Sequence, residues 1–97
     1  MNIQMNNYNR NQELTRKYIR ELIDDGLKQM KDYNLSEDLY GVWLKYSQQV
    51  LEITTKDYNP AILLNYLSVI MSINPQLKPY QKIGICLDYL IGILRII

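Results

Sequence analysis

The chain reads as all-α, a compact antiparallel four-helix bundle, and three observations carry that reading. Apolar residues recur at alternating spacings of three and four through most of the sequence. The breaks between these stretches carry helix-start chemistry: Ser36 before Glu37 and Asp38, Asn59 before Pro60, and Pro79. The connecting segments are only a few residues long, which places sequential helices antiparallel. The spacing predicts helices over approximately 12–33, 36–55, 60–73 and 79–97, forming a single domain from residue 11 behind a flexible polar arm at residues 1–10.

The arm is Asn-rich and without period, and Asn11 is placed to cap the first helix. In that helix Leu14, Tyr18, Ile19, Leu22, Ile23, Leu27, Met30 and Tyr33 share one side and charges fill the other. Gly26 inside it costs about 1 kcal/mol relative to alanine, so either a neighbouring helix approaches closely there or the helix is locally weak. Asn34 suits a left-handed closing position. In the second helix the main stripe is Leu39, Trp43, Tyr46, Val50 and Ile53, with Tyr40, Leu44 and Leu51 beside it. The third has only Asn65, Ser68 and Ser72 as polar residues between Ala61 and Ile73, on one narrow strip, which predicts a position in the middle of the bundle.

The fourth helix organises the rest. Tyr80, Ile83, Leu87, Leu90, Leu94 and Ile97 form its stripe, and Ile85, Cys86, Tyr89, Ile93 and Ile96 widen the apolar surface beyond one side. Gly84, Asp88 and Gly92 lie four apart with Arg95 close by, so the least bulky face is also the charged one, open to the approach of another backbone. Residues 1–57 hold seventeen of the twenty-one charges, leaving the second half as the core.

Composition narrows the chemistry. Eleven Lys and Arg stand against ten Asp and Glu, giving neither a polybasic footprint nor an acidic one. One cysteine and no histidine exclude an internal disulfide, the usual zinc ligand sets and His-based acid, base or triad chemistry. Asp24 with Asp25, and Glu37 with Asp38, are adjacent on helices and point about 100° apart, so neither pair converges on one point. Cys86 sits in an apolar helix as a small hydrophobe, and no Gly-rich phosphate cradle follows a strand. No enzyme activity, metal or cofactor is therefore expected.

Arg10, Arg16, Lys17, Arg20, Lys28 and Lys31, with Tyr8 and Tyr18, form a basic stripe, but Glu13, Glu21, Asp24, Asp25 and Asp32 are interleaved and cancel its field. The third and fourth helices are also too apolar to serve as recognition helices. The stretches 61–73 and 83–97 fall short of the roughly 20 apolar residues that cross a bilayer. The polar N-terminus does not read as a signal peptide, so a cytoplasmic location is expected.

These features lead to an expected function as a small non-enzymatic protein that acts by binding another protein, an inhibitor or accessory factor. Abundant Asn, Ile, Lys and Tyr, all with AT-rich codons, suit a bacterial phage or mobile element. The expected interface is the C-terminal helix, through Tyr80, Gly84, Leu87, Asp88, Leu90, Ile91, Gly92, Leu94, Arg95 and Ile97, facing a protein partner or a second copy in a homodimer. The alternatives are a bacteriocin-immunity-type helical bundle, on architecture alone, and a small DNA-binding accessory factor.

Overall fold

The computed structural model describes residues 3–97, with side chains from residue 12 onward. It contains α1 (Ile3–Met30), α2 (Glu37–Thr55), α3 (Ala61–Ser72) and α4 (Pro79–Ile96), with no strand among the described residues. Thr15 of α1 meets Thr54 near the end of α2, and Gly26 lies under Trp43 of α2, so these two helices run antiparallel. The Arg16 guanidinium donates to the backbone oxygen of Ile97, and Gly84 lies under Met30, so α1 is antiparallel to α4 as well. α3 returns against both α2 and α4, bringing Tyr66 to Ser47 and Ile62 to Tyr89. This is the expected antiparallel four-helix bundle. Among the described residues α2 and α4 each touch all three other helices, whereas α1 and α3 do not touch, so α2 and α4 lie across the short diagonal.

The helix ends follow local chemistry, with some departures from the expected boundaries. α1 begins at Ile3 instead of residue 12, so Asn11 lies within the helix and not at its start. The polar segment contains neither Pro nor Gly to break the helix. The side chains expected in a flexible arm, Tyr8 and Arg10 included, lie outside the described residues. α1 ends at Met30, short of residue 33, and Asn34 is not left-handed, since no described residue has positive φ. Asp32 shapes this turn instead: its carboxylate accepts from the Asn34 N–H at 2.9 Å and its carbonyl accepts from Leu35 at 3.1 Å.

Ser36 caps α2 as expected, its Oγ accepting from the Leu39 N–H at 3.1 Å, with Glu37 and Asp38 in the first turn. At α3 the cap position is Pro60, already in helical conformation, and no side chain caps the helix, Asn59 included. α4 starts with Pro79 in its first turn. The Lys78 N–H donates to Gln81 Oε1 at 2.9 Å, and the Gln81 N–H returns to the Lys78 carbonyl at 2.9 Å.

The core runs along α4. Ile83, Cys86, Leu87, Leu90 and Ile93 are buried from that helix, against Ile19, Leu22 and Ile23 of α1 and Trp43, Val50 and Leu51 of α2. Trp43 is core, as its position on the stripe implies, and its indole N–H donates to the Leu22 carbonyl at 3.3 Å. Gly26 resolves in favour of close approach: a Cβ there would lie 2.7 Å from Leu87 Cδ2 and 3.1 Å from Trp43 Cζ2.

Two expectations about faces are overturned. α2 buries Tyr40, Trp43, Ser47, Val50, Leu51 and Thr55, while Leu39, Tyr46 and Ile53 of the expected stripe are exposed. The buried face can include Ser47 and Thr55 because their hydroxyls bond their own helix, to Leu44 O at 2.7 Å and Leu51 O at 2.5 Å. α3 does not sit in the middle. It has neighbours only on the α2 and α4 sides, so Ile62 and Tyr66 are buried while Leu64 and Met71 face outward.

Candidate interaction surface

Inside the bundle, Tyr40, Tyr66 and Cys86 are buried titratable side chains that act on one another. The Ser47 hydroxyl spends its proton on the Leu44 carbonyl, which leaves its lone pair to accept from the Tyr66 O–H at 2.7 Å. Tyr66 stacks on Tyr89 at 5.5 Å between centroids, and Tyr89 donates to the Ile62 carbonyl at 2.6 Å. Burial pushes the Tyr66 phenol far above its ordinary range, the Cys86 thiol beside it adding to the shift. Burial also raises Cys86 itself, and raises Tyr40 to about 12 with help from Cys86 and Glu37. At neutral pH all three are protonated. A buried thiol held in that state is a weak nucleophile, so this cluster orders the α2–α3–α4 contact.

At the rim of this cluster Lys82 lies 3.5 Å from Glu37 and 5.6 Å from the centre of the Tyr40 ring, joining the first turns of α2 and α4. Tyr33 meets Tyr80 edge to face at 4.9 Å, which fixes the loop after α1 to the start of α4. The carboxylate neighbours Asp24, Asp25, Glu37 and Asp38 are exposed.

The ten residues expected at an interface on α4 divide into three groups. Leu87 and Leu90 are buried inside the chain, and Tyr80, Gly84, Ile91, Leu94 and Ile97 are half-buried. Only Asp88, Gly92 and Arg95 are exposed, together with Ile96. The close approach anticipated at the small residues of α4 occurs within the chain at Gly84 alone, where an added Cβ would lie 3.2 Å from the Met30 methyl, while Gly92 has open space around it. Most of the apolar surface that pointed to a partner is thus spent on α1, which packs more extensively on α4 than on any other helix.

The outward apolar surface lies elsewhere. On α2, Leu39, Val42, Tyr46 and Ile53 follow one another at spacings of three, four and seven, and are 58%, 68%, 48% and 73% exposed. Beside them α1 places Tyr18, and Leu14 is exposed one turn earlier on α1. Between the two helices runs a half-open groove of ≈ 230 Å³, lined by Tyr18, Tyr46, Val50, Ile53 and Thr54. Thr54 turns its hydroxyl onto the Val50 carbonyl at 2.8 Å, so this lining offers mostly carbon. Leu39, Tyr46 and Ile53 stand out in the sequence as members of a core stripe. Val42 is not part of that stripe, and its exposure beside them is the signal that separates a surface stripe from a core one.

Comparison with protein-family models, curated proteins and solved structures finds no match for this chain. None of its helices is long and apolar enough to cross a membrane, within the described residues.

Proposed function

We propose that this protein is a non-enzymatic binding protein, an inhibitor or accessory factor, and that its working surface is the outer face of α1 and α2. The observation that supports this reading is the line Leu39, Val42, Tyr46 and Ile53, left facing outward beside a groove by a chain whose core is already filled. Four large apolar side chains at helical spacing share one outward face, whereas singly scattered ones would carry no such meaning. Tyr18 and Tyr46 suit such a surface, since each joins a rigid apolar ring to a polar tip.

Affinity capture tests the reading, with the whole protein as bait and the cell that makes it as the source. A protein retained by the wild type and lost with both Tyr46→Glu and Ile53→Glu, at unchanged helix content, is the expected result. Retention that survives both substitutions would place the binding surface elsewhere.

A further inference from the structure

We propose that the occupant of the α2 face is a second copy of this chain, packed α2 against α2 in antiparallel with Tyr46 at the two-fold axis. The proposal rests on reading that face as a protein-binding surface, and three features of the face make it complementary to itself.

The first is position. Leu39 and Ile53 each lie seven residues from Tyr46, so an antiparallel pair centred there lays Leu39 of each copy on Ile53 of the other. The second is shape. Val42 protrudes one turn before Tyr46, and the groove surrounds Val50 one turn after it. Two-fold symmetry sets Val42 of each copy at the level of Val50 of the other, so that a protruding side chain meets a recessed one along the strip.

The third is charge. Asp38 and Lys56 are both exposed and stand eighteen residues apart, five full turns, so they lie on the same side of the helix. Antiparallel pairing about Tyr46 brings Asp38 of one copy within two residues of register of Lys56 of the other, at both ends of the contact. Glu37 is already engaged by Lys82, and the antiparallel helix dipoles add in the same sense. Lys45 lies one residue from the axis, where it faces its own copy, and this repulsion offsets part of what the two Asp38–Lys56 pairs contribute.

The four α2 side chains expose on the order of 500 Å² per copy, which puts the pair at the small end of specific interfaces. The result is a dimer that forms and dissociates with concentration.

Two experiments on the full chain test this. With Tyr46 replaced by the photo-crosslinker p-benzoylphenylalanine, irradiation in the cell that makes the protein is expected to give an adduct of twice the chain mass. Adducts only with a different protein would overturn the second copy while leaving the face as a binding surface; no adduct at all would overturn both. In sedimentation equilibrium, Asp38→Lys and Lys56→Asp are each expected to weaken self-association about tenfold or more, with helix content unchanged. An equimolar mixture of the two variants should restore it, because in the mixed pair every introduced charge faces its opposite. A wild type that stays monomeric at millimolar concentration, or a mixture no tighter than either variant alone, contradicts the proposal.

Discussion

Gly26 and Gly92 show how much a single hydrogen in place of a methyl group decides. At Gly26 an added Cβ meets Leu87 and Trp43, both buried with little freedom to move. Overpacking of roughly 1–3 kcal/mol therefore exceeds the roughly 0.5–1 kcal/mol that alanine returns as helix preference. Gly26→Ala is expected to lower stability in urea unfolding by about 1–2 kcal/mol. Gly92 is exposed with nothing within 4 Å of an added Cβ, so Gly92→Ala should raise stability by about 0.5–1 kcal/mol. Equal effects at the two sites would contradict the packing described.

The buried phenols and thiol give a second residue-scale expectation. Their folded pKa values lie above the unfolded values of 9.0 for Cys86 and 10.0 for Tyr40 and Tyr66. Above those values the unfolded chain releases protons that the folded chain keeps, so stability is full below pH 9 and falls as pH rises. For Tyr40 the loss runs from about pH 10 to about 12. With no histidine in the chain, the thermal midpoint should change little between about pH 6 and 8, then drop steeply above about pH 9. Cys86→Ala should remove the earliest part of the drop. A midpoint unchanged to about pH 11 would show that these groups are not buried.

At the scale of the element, α2 is where the sequence is least decisive. It carries two neighbouring stripes about one residue step apart, Leu39–Tyr46–Ile53 and Tyr40–Ser47–Leu51, and Trp43 and Val50 lie close enough to serve either. Hydrophobicity favours the first. Burial favours the second, because Ser47 and Thr55 satisfy their hydroxyls on their own helix and Tyr66 finds its acceptor on Ser47. That preference depends on α3 and cannot be seen from α2 alone. The starts of α2 and α4 are readable because they rest on local chemistry, and the burial of Trp43 follows from its stripe. Gly26, in contrast, leaves close approach and local weakness both open until Leu87 and Trp43 are seen against it. Asn34 misleads because Asp32, two residues earlier, supplies the turn's hydrogen bond. Leu51→Ala, at a fully buried position, is expected to cost about 2–5 kcal/mol, whereas Ile53→Glu should stay within about 0.5 kcal/mol of wild type. Guanidinium unfolding of the two variants side by side decides which stripe is inside.

For the whole molecule, the division of apolar surface between α4 and α2 differs from what their sequences suggest. The apolar C-terminal helix, which reads as a seam for another chain, buries Leu87 and Leu90 within this one and leaves Asp88, Gly92, Arg95 and Ile96 exposed. The more charged first half of the sequence supplies the outward line Leu39, Val42, Tyr46 and Ile53, to which α3 adds Leu64 and Met71 on a separate face. Charge counts could not reveal this, because charged and apolar residues of α2 occupy different sides of one cylinder. Leu90→Asp should fail to fold, since a carboxylate at that buried position finds no partner among the aliphatic side chains around it.

Methyl NMR over a range of protein concentrations tests the central claim most directly, because it watches both apolar faces at once. The expected result is that the methyl signals of Leu39, Val42 and Ile53 shift as concentration rises while those of Leu87, Leu90 and Ile93 stay fixed. Shifts confined to Leu94, Ile96 and Ile97 would contradict the account and return the interface to α4.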